Sequence, residues 1–310
     1  MAQVLDSNAL NKNANRNRKE QVIAVFMFIA TSISVLTTIG VILALTTEAG
    51  LFFADESVTF REFFTAREWS PLFAPAQRRF GIAPLFLGTL LVSTIALAVG
   101  MPLGLGAAIY LSEFASTGVR RIVMPILEVL AGIPTIVLGY FALLTVTPFL
   151  RSFIPGLQSS NALSAGLVMG FMLLPTISSV SIDAMQAVPR SLREAAFGLG
   201  STKGEVTLRV VVPAALSGIV ASFILAMSRA VGETMIVTLA AGQQPNFTFD
   251  PRSTIQTMTS FIAGTAQGDQ PAGTIGSLSL YAVGTTLFVT TLLLNIISQQ
   301  IVRRFSEKYE

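Results

Sequence analysis

The 310-residue chain contains no cysteine and no histidine. Without cysteine there is no disulfide, thiolate metal ligand or thiol nucleophile. Without histidine the commonest general base and metal ligand is missing too. Charge is also scarce: acidic and basic residues make up 12% of the chain, against about 25% in an ordinary soluble protein. The net charge is only +3, and no basic patch interleaved with aromatics supports a nucleic-acid role. No cluster of catalytic side chains lies near either end of an apolar run, so a membrane enzyme has little to stand on.

What the chain does have is apolar length. Apolar residues account for 52% of it, gathered into uncharged runs. Gln21–Thr47 is 27 residues, Phe80–Ser112 is 33, Ser152–Ile182 is 31, and Pro271–Val302 is 32. A helix needs about 20 residues to cross the hydrocarbon core, where every backbone group must be satisfied without water. The composition therefore predicts an all-α integral membrane protein of about six spans, placed near 22–47, 82–111, 122–150, 162–182, 212–242 and 276–302. The first run exceeds the roughly 7–15 residues of a signal-peptide core and lacks a small-x-small cleavage site, so it reads as a retained anchor. Met1–Glu20 is a polar, Asn-rich leader, expected to be mobile. Residues 48–80 form a long loop in which a short interfacial helix is expected.

Orientation follows from basic residues. With the N-terminus inside, thirteen Lys and Arg fall on the cytoplasmic side: Lys12, Arg16, Arg18, Lys19, Arg120, Arg121, Arg190, Arg193, Lys203, Arg209, Arg303, Arg304 and Lys308. Six fall outside: Arg61, Arg67, Arg78, Arg79, Arg151 and Arg252. Both termini are thus expected in the cytoplasm.

The loop after the fourth span, 183–213, carries the most information. Pro189 precedes Ser191-Leu-Arg-Glu194, a capping-box pattern that predicts a short helix from Leu192. Gly200 suits the left-handed turn that ends it. Thr202-Lys-Gly-Glu205 is a second, weaker box, and Pro213 is expected in the first turn of the next span. The first short helix would expose Glu194, Ala195 and Ala196, small enough for another protein to approach the backbone closely. On the caps alone an ordinary loop with two helical turns fits equally well. The run Gly198-Leu-Gly200-Ser-Thr-Lys203 lacks the spacing of a phosphate-cradling loop, and Gly104-Leu-Gly106 reads as close helix packing.

Glu194-Ala195-Ala196, three residues, Gly200, nine residues, then Val210-Val-Val212-Pro213 resembles the EAA signature of bacterial ABC-importer permeases, with Val210 and Val212 where Ile and Leu are usual. The resemblance implies the type I (MetI-like) permease fold. It also makes 183–213 a coupling loop that docks on a separate ATPase, with Ser191, Glu194, Ala195, Ala196, Gly200 and Pro213 as its residues. Residues 126–139 and Ser228-Arg229-Ala-Val-Gly232-Glu233-Thr234-Met235 are similar to the third- and fifth-span motifs of phosphate-specific permeases of the PstC type. That resemblance implies phosphate as cargo, no cofactor on this chain, and ATP–Mg2+ on partner subunits. The implied partners are a second (PstA-type) permease, two (PstB-type) ATPases and an extracytoplasmic (PstS-type) binding protein. The chain then divides into the leader 1–20, the first span and outer loop 21–80, and a core permease domain 81–310.

Three charges fall inside the expected spans: Glu128, Arg229 and Glu233. A charge in the bilayer costs about 2.5–3.5 kcal/mol on insertion scales and usually marks a pathway or a buried pair. If the fifth span is one helix, Glu233 sits one turn beyond Arg229 and the two can pair. Arg229 and Glu233 are then expected to line and gate the passage, since a guanidinium offers an oxyanion a planar fork of donors. The other reading is a pair that only sets helix packing, with Glu128 as the partner of Arg229. Glu128, two turns into the third span, is expected to pair structurally, and Gly132 and Pro134 to kink that span. Two rival functions remain: a permease for another oxyanion such as sulfate or molybdate, and an ion-coupled secondary transporter using the membrane carboxylates. A coupling loop argues against the second.

Overall fold

The computed structural model describes residues 7–268 and 270–305, with side chains over 20–268 and 270–300. Met1–Asp6 of the leader, and the side chains of Arg303, Arg304 and Lys308, lie outside the described residues. Outside its loops the described chain is all helix; its only β-pairing is an isolated bridge between Trp69 and Phe80.

The first helix, α1 (Ser7–Ala54), starts well before the expected span. Most of the leader is thus helical, because 7–20 holds no proline or glycine to stop the helix and alternates its asparagines with Ala, Leu, Lys, Arg and Glu, which favour it. The loop that follows contains the expected short helix, α2 (Phe60–Thr65). It packs into an aromatic cluster in which Phe52, Phe63, Phe80, Trp69 and Phe261 meet edge to face. The second span is α3 (Ala83–Ile109), prolonged by a wide turn, Tyr110–Phe114.

The third span is not a kinked helix. It is two helices, α4 (Thr117–Gly132) and α5 (Thr135–Arg151), set at 92°. Pro134 is the cause. A residue before proline is pushed out of the α region, and Ile133 has an extended backbone with ψ 127°. The fourth span, α6 (Ala162–Gln186), is capped by Asn161, whose side chain accepts from the Ser164 amide at 2.7 Å.

Two short helices follow, α7 (Arg190–Gly198) and α8 (Lys203–Ala214), and then α9 (Leu216–Gly232), bent from α8 by 68°. The chain breaks again at Glu233–Thr234 before a last helical stretch, α10 (235–241). The expected single span 212–242 is therefore α9 and α10 with a break between them. An unforeseen helix, α11 (Met258–Gln267), precedes the sixth span, α12 (Ile275–Phe305). Among the described residues four helices are long and apolar enough to cross a membrane alone; the two bent pairs bring the number to six when each counts as one span.

The core of the fold is the seam between α3 and α6. Glycines let the two backbones meet: a Cβ on Gly104 would stand 2.7 Å from Cγ2 of Ile177, and one on Gly170 would stand 2.9 Å from the Ala96 carbonyl. The Ser178 hydroxyl also donates to the Gly104 carbonyl across the seam, at 3.1 Å. Small residues that admit backbone contact are the usual means of helix association in membranes. One end of this seam carries α7; the other, the far end, carries α2, α11 and the loop 242–257.

Candidate functional site

α6 turns through Ala187 and the buried Val188 into Pro189, which caps α7. The fixed φ of proline starts the helix at Arg190, two residues earlier than expected. Ser191 therefore lies inside the first turn and α7 has no side-chain cap. The weaker box is the one that forms. The Thr202 hydroxyl accepts from the Glu205 amide at 3.4 Å, and Glu205 accepts from the Thr202 amide at 2.9 Å. That backbone bond, followed by the bond from the Thr202 hydroxyl, holds the Glu205 carboxyl below its ordinary 4.5. Gly200 takes the left-handed conformation with φ +83° and ends α7 as expected.

Pro213 does not open the membrane helix. It lies near the end of α8, directly after a wide turn at Thr207–Val211, and the 68° bend follows at once. A proline inside a helix lacks a donor and crowds the preceding turn, so the helix widens before it and bends after it. The same arrangement recurs in α5, where the wide turn Ala142–Val146 precedes Pro148.

On α7, Glu194 and Ala195 face outward, but Ala196 is buried. It packs in a cluster with Met185, Val188, Val206 and Val211. The exposed apolar side chains are Phe197 and Leu199, the latter 89% exposed. Neither was singled out from the sequence, although both sit inside the signature. Also missed was the strap that fixes α7. Arg193 Nη1 donates to Glu113 Oε2 at 2.7 Å, and its Nη2 donates to the Met185 carbonyl at 2.7 Å. One guanidinium thus ties α7 to the ends of both α3 and α6. Lys203 adds a second tie, its ammonium 5.3 Å above the ring of Phe114.

The three membrane charges do not pair with one another. Arg229, half-buried near the end of α9, donates from Nη1 to the Thr176 hydroxyl on α6 at 3.2 Å. Glu233 is not one helical turn beyond it, because the helix stops at Gly232 and Glu233 has an extended backbone with ψ 132°. Its carboxylate turns forward instead, accepting from the amides of Met235 at 3.0 Å and Ile236 at 3.2 Å. A buried carboxylate there satisfies the first orphan donors of α10 and matches the positive end of its dipole. The Thr259 hydroxyl of α11 donates to the Glu233 carbonyl at 2.7 Å. Glu128 makes no ion pair among the described residues, and its expected structural pairing is absent. It opens on a cavity of about 290 Å3 between α4 and α6 that Thr176, the residue holding Arg229, also lines.

Residues 100–309, which contain all of these features except the start of α3, match the family model described as the binding-protein-dependent transport system inner membrane component. The chain belongs to that family. It is 33% identical over 90% of its length to the phosphate transport system permease protein PstC of Mesorhizobium japonicum, covering 89% of that protein. To the probable ABC transporter permease protein YqgH of Bacillus subtilis it is 32% identical, over 75% of this chain and 74% of the relative. Among solved structures, the bacterial alginate ABC transporter with its pentasaccharide-bound periplasmic protein superposes with a TM-score of 0.66 at 16% identity, over 94% of this chain and 98% of the other. The inward-facing MetNI methionine transporter gives 0.55 at 19% identity, over 73% and 95%. These two show the fold: an all-helical, MetI-like ABC-importer permease. The chain is a multi-pass inner-membrane protein.

Proposed function

We propose that the chain is the PstC-type permease subunit of an ATP-driven phosphate importer, in which movement of α7 by a separate ATPase opens the membrane path to either side in turn. The observation that carries this reading is α7 itself. It is a short helix with Glu194, Ala195, Phe197 and Leu199 exposed, strapped by Arg193 to two membrane helices. The strap gives a push on α7 a route into the bilayer. The name of the Mesorhizobium japonicum relative supplies phosphate as the cargo, and the third- and fifth-span motifs agree with it. ATP–Mg2+ belongs to two PstB-type partners, this chain itself binding no cofactor and catalysing nothing. A PstA-type permease completes the path, and a PstS-type binding protein delivers phosphate at the far end. The excess of Lys and Arg around α7 supports a cytoplasmic position for that end and for both termini.

Arg229 is the cation of the path. Among the described residues only one of its five N–H donors is engaged, by a neutral hydroxyl, and no carboxylate competes for it. Glu233 fixes the break at which α9 ends, so that Arg229 sits at the last turn of a helix rather than inside one. Glu128 lines the adjoining cavity between α4 and α6 as a weaker member of the set.

Labelled-phosphate uptake by cells deleted for this chain and complemented with it tests the reading, with sulfate and molybdate as competitors. Uptake that only unlabelled phosphate suppresses is expected, and Arg229→Gln should abolish it while leaving the complex assembled. Suppression by sulfate or molybdate would move the cargo to another oxyanion, and full transport by Arg229→Gln would remove Arg229 from the path.

A further inference from the structure

A groove of about 780 Å3 runs between the first turns of α3 and the middle of α12. At the far end its walls are Phe60 and Phe64 of α2 and Phe247 of the loop after α10; from there it follows α3 to Leu90 and α12 from Ala282 to Ile297. No charged side chain lines it, and its three polar residues are threonines. Each of their hydroxyls is already spent on a main-chain carbonyl: Thr285 donates to Leu45 at 3.2 Å, Thr286 to Ala282 at 2.9 Å and Thr290 to Thr286 at 2.7 Å. The walls therefore offer contact to hydrocarbon and no free polar group. Phe60, Phe64, Val289, Leu293 and Ile297 are exposed, so an occupant from outside the chain can reach them.

Length, width and charge select the occupant. From Ala282 to Ile297 the wall extends about 22 Å at 1.5 Å per residue, deeper than one leaflet of a hydrocarbon core about 30 Å thick. A helix about 10–12 Å across would fill about 2,000 Å3 over that length, more than twice what the groove holds. A slender hydrocarbon chain fits where a helix would stand mostly outside. The far end adds a cation: the Arg67 guanidinium lies 4.9 Å from the centroid of the Phe247 ring. Arg67 is exposed and makes no ion pair among the described residues. A free cation at one end of an apolar groove complements an anionic head on a hydrocarbon tail.

We propose that this groove is a binding site for an anionic phospholipid, whose phosphate meets Arg67 and whose acyl chain lies along α12. The inference depends on the membrane-spanning fold and not on the cargo. The occupant packs against a helix that also steadies α9, since the Ser228 hydroxyl, next in sequence to Arg229, donates to Asn295 of α12 at 2.6 Å.

The test uses the complete complex, with second permease and ATPases freed of cysteine, in lipid nanodiscs. Because this chain has no cysteine of its own, Val289→Cys gives it a single site in the groove wall for a bimane label. Phosphatidylglycerol and phosphatidylcholine brominated on the acyl chain are then compared as quenchers in a background of unbrominated phosphatidylcholine. Brominated phosphatidylglycerol should be preferred about fivefold, the factor that one basic residue near an anionic lipid implies. Adding Arg67→Gln should bring that preference close to one while leaving the melting temperature in phosphatidylcholine unchanged, because Arg67 is exposed and unpaired. Equal quenching by the two lipids would reduce the groove to ordinary bilayer contact and overturn the inference. Quenching by neither would assign the groove to a partner subunit's segment and overturn it too, and a preference that survives Arg67→Gln would remove the headgroup site. None of these outcomes touches the importer reading, which phosphate uptake tests separately.

Discussion

The strap at Arg193 carries the most specific mechanical expectation. The Arg193 side chain is 21% exposed and that of Glu113 only 9%, so removing the guanidinium strands a largely buried carboxylate and frees the Met185 carbonyl. Breaking a fully buried pair costs about 3–5 kcal/mol; the partial exposure of Arg193 lowers this to about 2–3 kcal/mol. At 1.4 kcal/mol per tenfold, that moves the balance between a docked and a detached α7 by roughly thirty- to a hundredfold. Arg193→Met should therefore lower phosphate uptake by more than tenfold while the ATPases continue to turn over, and amide exchange across 190–200 should accelerate. Glu113→Gln leaves an acceptor in place and should be milder, and the double variant should be no worse than Arg193→Met alone. Normal uptake per ATP and normal exchange protection in Arg193→Met, or strictly additive effects in the double variant, would refute the reasoning.

Other expectations are simpler. Glu233→Gln keeps an oxygen for the Met235 and Ile236 amides and should transport, whereas Glu233→Ala leaves two donors unpaired at about 1–3 kcal/mol each and should not; equal loss of uptake in both would mean that the charge itself acts. Gly104→Val forces a side chain against Ile177 and should destabilise the solubilised complex by about 1–3 kcal/mol, read as a lower melting temperature; an unchanged Tm would contradict the backbone contact of α3 and α6. The Glu205 carboxyl is held below 4.5 by its bonds to Thr202. Its contribution is present above that value and lost as the pH falls and the carboxylate protonates. Exchange protection at the start of α8 should therefore decline in acid in the wild type and show no such step in Glu205→Gln.

The membrane class was legible because apolar length is a compositional property that no tertiary contact can reverse. The signature in 183–213 was legible because its spacing fixes a helix, a left-handed glycine and a proline along one stretch of chain. The course of the third and fifth spans was less so. Gly132 and Pro134 announced a disturbance, but whether a proline kinks a helix or ends it depends on what the next turn packs against. Glu233 was read as a helical position because Arg229-Ala-Val-Gly-Glu has helical spacing; the break becomes visible only once the Met235 and Ile236 amides are seen to need a cap. Ser191 shows the same limit, since a good capping pattern lost to a proline two residues upstream. Arg193–Glu113 and Thr259–Glu233 join residues 80 and 26 positions apart, and nothing local in the chain signals either. The short α11 was invisible to a reading based on membrane-crossing length.

The glycine seam has a consequence for movement. Where two helices touch backbone to backbone, neither can slide or roll without opening voids along their whole contact, so α3 and α6 travel as one rigid beam. Compliance is left to the places where the main chain already departs from helix: Ile133–Pro134, Ala215 and Glu233–Thr234. Arg193 grips the beam at its α7 end, while these three joints divide the helices around it. A displacement at α7 therefore acts on α3 and α6 together, and the neighbouring segments α5, α9 and α10 can turn only at these joints, with Arg229 carried on one side of a joint and Glu233 within it.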